Sequence, residues 1–381
     1  MSPRKEYVNQ YQARELANKP SLLKRFKLDG LLLLYLVAIS LFGLFILYSA
    51  SDQSIAMVTR QAIIIGIGFV VLVIAAQIPV PLYRRTAWLL YIFGIFLLLM
   101  VLFVGVGAKG AQRWLEMPGL FRFQPSEIIK VLMPLIVAMH IGSRPIPPTF
   151  IDVVVAALII LIPSLLIGMQ PDLGTAILIF ASGVFVLFLA GLSVWYIVTA
   201  GAGIILLSWP IWTYMLHDYQ RQRILTLLNP EADRFGAGWN IIQSKTAIGS
   251  GGLFGKGWLD GTQSQLNFLP ESHTDFIIAV LAEDLGFVGI LGLLVLYTCI
   301  IARGLQLSIR SSLFFNKLVS GSIILTFFGY IFVNMAMVSG IFPVVGVPLP
   351  FMSRGGTALL TLMFAFGILM AVAHDKSTFT K

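Results

Sequence analysis

The feature that most constrains the fold is a succession of long apolar runs separated by short polar stretches. An α-helix needs about 20 apolar residues to cross a bilayer, and it satisfies all its backbone hydrogen bonds internally. Ten runs of this kind, several of them short for a span, lie near residues 30–49, 61–78, 87–107, 127–142, 152–169, 174–190, 194–214, 276–302, 314–340 and 356–373. The sequence therefore predicts an all-α polytopic membrane protein with about ten transmembrane helices.

Composition excludes the soluble classes. Hydrophobic residues make up 58% of the 381 residues and charged residues only 11%, whereas soluble domains carry about a quarter charged residues. The single cysteine, Cys299, lies in an apolar run, so no internal disulfide can form. The four histidines are scattered along the chain, which argues against a structural zinc site.

The chain divides into a membrane domain and two tails. Residues 1–29 form a basic tail that we expect in the cytoplasm, 30–373 form a single multi-span domain, and 374–381 form a second cytoplasmic tail. The stretch 215–274, between spans 7 and 8, is the large extracytoplasmic loop. An even number of spans places both termini on the same side.

Several cations fall on the outer side of this topology, against the usual bias. Those that the long loop does not contain include Lys109, Arg113, Lys130 and Arg354. An anionic ligand on the outer face would explain them. For the cations inside the long loop, such as Arg221 and Arg223, the orientation rule has little force, so they need no such explanation.

The first polar cluster is the segment Gln124-Pro125-Ser126-Glu127 with Lys130. Pro125 suits the first position of a helix, and Ser126 could cap it. Glu127 and Lys130 are three residues apart and hence share a helix face. A capped helix with a local ion pair would explain the glutamate, but less well a lysine most of a turn inside the span.

The second and third clusters contain carboxylates at the ends of spans. Asp172 lies in Gln-Pro-Asp-Leu-Gly-Thr, which is also an ordinary turn sequence. Asp275 directly precedes an apolar run that contains Glu283 two turns later. Asp275 could simply complement a helix dipole, and Glu283 could be a buried packing residue. Two carboxylates on one apolar span argue against purely structural roles for both of them.

The fourth cluster, 343–357, is dense in proline and glycine and contains Ser353 and Arg354. Irregular backbone at membrane depth is tolerated where it lines a cavity or packs within protein. The four clusters together predict an outer cleft with carboxylates and cations. Such a cleft fits a transferase acting on a lipid-linked anion, and it fits a transporter equally well.

At these clusters the sequence resembles the SEDS family (shape, elongation, division and sporulation proteins). The matching segments are GAQRW, QPSEIIK, QPDLGT, YQRQRI, LPESHTDFIIAVLAEDLGFVG and GVPLPFMSRGGT. They follow the family's order and spacing over residues 30–373, and they are closer to its elongation members than to its division members. The chain departs at Arg354, where tyrosine is common, and at Asp284, where glutamate is common.

The resemblance implies a peptidoglycan glycosyltransferase that polymerises lipid II and releases undecaprenyl diphosphate. The catalytic aspartate of the family matches Asp275. Other sensitive positions of the family match Arg113, Glu127, Lys130, Asp172 and Ser353. An inverting displacement needs one base, for which Asp275 is the candidate, and positive charge for the leaving diphosphate. The candidates for that charge are Lys130, Arg113, and Arg221 or Arg223.

The resemblance also implies a partner, a class B penicillin-binding protein, together with other membrane proteins of the elongation machinery. We expect no nucleic-acid partner. The residues require no cofactor, although the family implies a divalent cation such as Mg²⁺ or Mn²⁺. We expect a multi-pass protein of the bacterial inner membrane, with its active site on the periplasmic side. A lipid II flippase and a scaffold for the cell-wall machinery are the alternative functions.

Overall fold

The computed structural model describes residues 26–108, 111–116, 122–216, 218–233, 236–266, 268–269 and 271–375. The α-helices of this part of the chain are α1 (Gly30–Ala50), α2 (Ile55–Gln77), α3 (Val80–Val104), α4 (Pro125–Ile141), α5 (Phe150–Met169), α6 (Leu173–Leu189), α7 (Val194–Pro210), α8 (Asp218–Leu228), α9 (Ala237–Gly251), α10 (Thr262–Gln265), α11 (Ile277–Arg310), α12 (Phe314–Val338) and α13 (Thr357–His374). A π-helical turn at Ile211–Met215 follows α7, and a 3₁₀ turn at Pro230–Asp233 follows α8.

Seven of the described helices are long and apolar enough to cross a membrane, namely α1, α2, α3, α5, α11, α12 and α13. The helices α4, α6 and α7 have 17 residues each, at the lower end of the roughly 17–25 residues that a span uses. The predicted helical membrane fold is therefore confirmed, but the predicted number of ten spans is not.

Short polar side chains set the starts of several helices. Asp29, Ser54, Thr149 and Asp172 are N-cap residues, and each accepts a hydrogen bond from a backbone amide of the first turn. Such a bond satisfies an amide that has no partner within the helix and stabilises it by about 1 kcal/mol.

One end of the bundle is fastened by an ion pair. Arg303, in the last third of α11, donates to both carboxylate oxygens of Asp29, at 3.0 and 2.6 Å. Burial alone would raise the pKa of the Asp29 carboxyl, but hydrogen bonds from Arg303 and the Leu32 amide outweigh it and hold the pKa below its ordinary value. The charge of His374, at the end of α13, also acts on Asp29. Both described chain ends therefore lie at this end of the bundle.

The stretch 215–274 contains α8, α9 and α10, and α9 packs against α11. Where they meet, α11 bends at Gly286, whose φ of 66° and ψ of −159° are non-helical. A Cβ at this position would lie 2.3 Å from the amide nitrogen of Gly255. The bend thus requires glycine for its backbone angles and for the close approach of the loop.

A three-stranded antiparallel sheet lies between α3 and α4, formed by β1 (Val106–Ala108), β2 (Ala111–Glu116) and β3 (Arg122–Phe123). In β2, Trp114 pairs with Val106 and Leu115 pairs with Phe123. The sheet presents Arg113 to the end of the bundle where α4 begins.

The core beneath that end is aromatic. The ring centroid of Phe327 lies 5.2 Å from that of Phe366 and 6.0 Å from that of Phe351. The hydroxyl of Tyr297, a residue only 2% exposed, donates to the Pro350 carbonyl at 2.7 Å. These contacts hold the irregular segment around Pro350 onto α11 and α12.

Candidate active site

A cavity of about 370 Å³ opens among the starts of α4, α6 and α13, the middle of α12, and two irregular segments. One segment is the acidic turn, 271–276, which leads into α11. The other is the rim, 343–356, which leads into α13. Among the described residues, the charged side chains that line the cavity are Arg113, Glu127, Lys130, Asp172, Glu271, Asp275 and Arg354. All four predicted polar clusters therefore meet in one cavity, at the end of the bundle opposite Asp29.

The start of α4 places Glu127 and Lys130 in the cavity wall. As predicted, Pro125 is the first residue of the helix. The prediction that Ser126 caps it is wrong, because Gln124 is the N-cap residue and Ser126 lies within the helix. The Ser126 hydroxyl is buried and has no hydrogen-bond partner among the described residues.

Lys130 pairs with Glu127, whereas the sequence had left both Glu127 and Asp275 open as its acidic partner. The Lys130 Nζ lies 2.6 Å from Glu127 Oε1, and the two side chains are 13% and 8% exposed. The other oxygen of Glu127 accepts a hydrogen bond from Thr361 at 2.9 Å. The Lys130 ammonium also lies 5.2 Å from the ring centroid of Tyr330, within the range of a cation–π interaction.

Asp172 links three elements at the mouth of the cavity. As N-cap residue of α6, it accepts from the Thr175 amide at 3.4 Å. Its second oxygen accepts from Gln124 at 2.9 Å, and Arg113 Nη1 lies 3.7 Å from its first. Arg113 also donates to the carbonyl of Pro171. Asp172 thus serves both as the turn residue and as a partner for an outer cation.

Asp275 lies in the acidic turn, one residue before Phe276, the N-cap residue of α11. Its side chain is partly buried. A Cβ built on Gly346 of the rim would come within 3.6 Å of Asp275 Oδ2, so the carboxylate faces the rim. Glu271 also lines the cavity, and its backbone has a positive φ of 58°. Such a backbone conformation is uncommon for a residue other than glycine and tightens the turn.

Ser353 fastens the rim to the acidic turn. Its hydroxyl accepts from the Leu349 amide at 2.9 Å and donates to the Thr274 carbonyl. The backbone amide of Arg354 donates to the His273 carbonyl at 2.9 Å. Because its hydroxyl is used in this way and the residue is 4% exposed, Ser353 shapes the site and offers little to a ligand.

Arg221 and Arg223 do not line the cavity. Both lie on α8, and the Arg221 guanidinium donates to the carbonyls of Trp212 and Thr213 at 2.9 and 2.8 Å. Lys109 lies outside the described residues.

Glu283 also lies outside the cavity, as expected if it is a buried packing residue. Its carboxylate is fully buried and accepts from Lys256 and from the amides of residues 262–264. It fastens the loop to α11.

Two residues of the cavity wall, Thr361 and Tyr330, were not identified from the sequence. Each is a polar residue inside an apolar span, which is the signal that could have found them. Single threonines and tyrosines occur in many spans, however, so the signal does not single them out.

The described residues contain no group of three or more His, Cys, Asp or Glu side chains that could hold a metal ion. The cavity therefore offers no preformed cage for the divalent cation that the resemblance implies. What it does offer is a partly buried carboxylate, Asp275, in a cavity that the cations Arg113, Lys130 and Arg354 also line. This arrangement can accept a proton from a hydroxyl and can bind an anion.

Comparison with known proteins shows to which family this chain belongs. A family model described as "Cell cycle protein", covering FtsW, RodA and SpoVE, matches residues 29–378. The chain belongs to this family. Peptidoglycan glycosyltransferase MrdB of Escherichia coli K12 is 50% identical over 365 residues, which cover 96% of this chain and 98% of MrdB. A probable peptidoglycan glycosyltransferase FtsW of Trichlorobacter lovleyi is 36% identical over 374 residues, 94% of this chain and 96% of that protein.

Solved structures of FtsW/RodA/SpoVE proteins share the fold. A chain from a peptidoglycan synthase complex that coordinates polymerization and crosslinking superposes with a TM-score of 0.81 at 28% identity, covering 92% of this chain and 98% of that one. The rod shape determining protein RodA of Thermus thermophilus gives a TM-score of 0.70 at 27% identity, with the same coverage. The predicted family is therefore confirmed, and the names of the relatives agree with the predicted glycosyltransferase activity.

Proposed function

We propose that this protein is a peptidoglycan glycosyltransferase that polymerises lipid II into glycan strands for cell elongation. The observation that carries the proposal is the single cavity that joins Asp275 to Arg113, Lys130 and Arg354. A cavity of this kind supplies a base and positive charge together, which is what transfer from a sugar diphosphate needs. Membership of the family and 50% identity to a peptidoglycan glycosyltransferase support the same reaction.

In the proposed reaction, the hydroxyl of the acceptor sugar attacks the anomeric carbon of the donor. A carbon–oxygen bond to the acceptor forms while the bond from the anomeric carbon to the diphosphate breaks. The hydroxyl proton passes to the Asp275 carboxylate, and undecaprenyl diphosphate leaves with the bonding electrons. A single displacement inverts the α-linked donor to a β-linkage and needs no covalent intermediate.

The leaving diphosphate gains negative charge as the bond breaks. We assign its stabilisation to Lys130, Arg113 and Arg354, since these cations line the cavity. Lys130 and Arg113 each have a carboxylate neighbour, so they are held in place before substrate binds. Because Arg221 and Arg223 lie on α8 and do not line the cavity, we leave them out of this site.

A divalent cation, Mg²⁺ or Mn²⁺, remains part of the proposal. The described cavity wall has three cationic and four acidic side chains, so an entering diphosphate brings uncompensated negative charge. Magnesium commonly binds through one or two carboxylates together with substrate phosphates. A cation would therefore enter with the diphosphate, and we assign no step of the reaction to it.

The orientation of the protein is also a proposal. The basic tail of residues 1–29 favours a cytoplasmic N-terminus. Asp29 and His374 lie at the opposite end of the bundle from the cavity. With the tail inside the cell, the cavity opens on the periplasmic face of the inner membrane.

The partner that we propose is a class B penicillin-binding protein, which would cross-link the strands as they form. A structural neighbour comes from a complex that coordinates polymerization and crosslinking, which supports this pairing. Co-purification with such a partner should raise the polymerisation rate at saturating lipid II. Equal rates with and without the partner would count against it.

Polymerisation of lipid II by the purified protein tests the function directly. Asp275→Asn keeps the shape of the side chain and removes its basicity, so we expect a rate loss of roughly 10²–10⁴-fold. The matched control is Asp218→Asn, because the Asp218 side chain is fully exposed on α8. Near-normal polymerisation by Asp275→Asn would refute its role as base. Transport of lipid II across vesicle membranes without polymerisation would favour the flippase alternative. The absence of both activities would favour a scaffold.

A further inference from the structure

Within the acidic turn, the amides of Thr274 and Phe276 donate to the Glu271 carbonyl at 3.1 and 3.3 Å, and the Thr274 hydroxyl donates to the Glu271 carboxylate at 2.9 Å. Asp275 precedes the N-cap residue of α11, and no side chain caps that helix. The carbonyls of residues 273–275, by contrast, are bound by donors from elsewhere in the fold.

Three consecutive carbonyls of this turn each accept a hydrogen bond from the C-terminal part of the chain. The His273 carbonyl accepts from the Arg354 amide, and the Thr274 carbonyl accepts from the Ser353 hydroxyl. The third, that of Asp275 itself, accepts from the side-chain amide of Asn334 at 2.9 Å. The first two donors belong to the rim, whereas Asn334 belongs to α12.

Asn334 uses both hydrogens of its amide. The second goes to the Val347 carbonyl of the rim at 2.7 Å. One side chain thus joins α12, the acidic turn and the rim at the position where Gly346 faces the Asp275 carboxylate. Movement of the Asp275 backbone relative to the rim would break or stretch these two bonds.

Asn334 is buried in an environment where an asparagine is less favourable than an apolar packing residue. Its side chain is 0% exposed, and its Oδ1 has no hydrogen-bond partner among the described residues. A buried polar atom without a partner is destabilising, because it has given up its hydrogen bonds to water. An apolar residue of the same size would avoid that cost, so the two donated bonds must compensate for it.

We propose that Asn334 is a positioning residue, which holds the Asp275 carboxylate at its working distance from the rim and the cations of the cavity. The inference rests on the proposed function, since it assumes that Asp275 is the base. Asn334 does not line the cavity, so it acts through Asp275 and does not touch the substrate.

The same helix provides a matched control. Asn316 is also 0% exposed, and its side-chain amide donates to the Val372 carbonyl at 3.3 Å and to Asp375 at 3.2 Å. Its Oδ1 likewise has no partner among the described residues. Asn316 lies near the other end of α12, away from the cavity. Replacement of either asparagine by leucine removes the same number of bonds from an equally buried site.

The experiment measures kcat and KM for lipid II polymerisation, together with thermal unfolding in detergent. A shift of about 1 Å in a catalytic group can cost about 10²-fold. We therefore expect Asn334→Leu to lower kcat by roughly 10–100-fold with KM little changed. Asn316→Leu should lower the unfolding temperature by a similar amount while its kcat stays near normal. If Asn334→Leu does not fold, Asn334→Ser, which keeps one donor, is compared with Asn316→Ser in the same way.

A double variant separates positioning from general damage. In the Asp275→Asn background, Asn334→Leu should cause no further loss, because two residues that act through one group are not additive. Normal kcat in Asn334→Leu, an equal loss in Asn316→Leu, or a full further loss in the double variant would each overturn the proposal. Full activity in Asp275→Asn alone would instead overturn the assignment of the base.

Discussion

Among the described residues, two glutamates are buried, and each forms an ion pair with a lysine. Glu127 pairs with Lys130 in the wall of the cavity at 2.6 Å, and Glu283 pairs with Lys256 beside the bend of α11 at 2.8 Å. The pairs differ in what surrounds them. The first pair lines the cavity described above, and the second does not.

The two carboxylates are satisfied to different degrees. Besides its lysine, Glu283 accepts from three backbone amides, those of Thr262, Gln263 and Ser264, at 2.8 to 3.1 Å. Glu127 accepts from its lysine and from the single hydroxyl of Thr361. A saturated carboxylate stabilises the structure but has no capacity left for a ligand. The partly satisfied pair is held in place and can still exchange partners when an anion arrives.

The largest expected effect is on the stability of the protein and concerns the pair of Glu283 and Lys256. Glu283→Ala leaves Lys256 and three backbone amides without their acceptor, and breaking a buried pair costs about 3–5 kcal/mol. We expect a clear fall in the unfolding temperature measured in detergent. The fraction that remains folded should polymerise lipid II at nearly the normal rate. A larger loss of activity than of stability would show that this pair belongs to the catalytic machinery.

The next effect is on activity and concerns the pair in the cavity. Lys130→Met keeps the length of the side chain and removes the charge that we assign to the diphosphate. Loss of one such group costs roughly 10²–10³-fold in kcat. Lys256→Met, the matched change in the other pair, should leave kcat near normal. Similar kcat values for the two variants would show that the two pairs do not differ in function.

A neutral double variant removes the objection that Lys130→Met leaves a buried charge. Replacing Glu127 by Gln in the same protein restores neutrality to the cavity wall, so the unfolding temperature should recover. The activity should not recover, since the cation is still missing. Recovery of both would assign the pair a purely structural role.

The sequence predicted much of this architecture because apolar length is a local property. The first predicted run, 30–49, differs by one residue from α1, Gly30–Ala50. The spacing of Glu127 and Lys130 on one helix face was equally local, and it is confirmed by the 2.6 Å contact. Tertiary contacts are different, since Thr361 reaches Glu127 across 234 positions of the chain. No pattern near either residue indicates that contact.

The same limit explains the arginines of the long loop. Charge marked Arg221 and Arg223 as candidates for an anion, but charge does not tell where a guanidinium points. In the structure, the turn between α7 and α8 offers backbone carbonyls that Arg221 satisfies. The asymmetry between Glu127 and Glu283 was hidden for a related reason. Both are acids in or near apolar spans, and only the fold places the amides of residues 262–264 around one of them.

The smallest expected effect concerns the hydroxyl that completes each pair. Thr361 donates to Glu127 at 2.9 Å, and Thr262 donates to Glu283 at 3.1 Å. A hydrogen bond to a charged group contributes about 1.5–3 kcal/mol, but the Thr361 hydroxyl also lies within 3.1 Å of the carbonyls of Thr357 and Ala358. Because its one hydrogen has these alternatives, we expect the lower end of that range.

Thr361→Val should therefore lower kcat by about tenfold, which corresponds to about 1.4 kcal/mol. Thr262→Val should change kcat by less than about threefold, since Glu283 keeps its lysine and three amides and lies outside the cavity. Both substitutions preserve the size of the side chain, so the rates of the two purified variants can be compared directly. If Thr262→Val proved as costly as Thr361→Val, the number of donors around a carboxylate would not be what separates the two pairs. The functional role of Lys130 would then have to rest on the cavity alone.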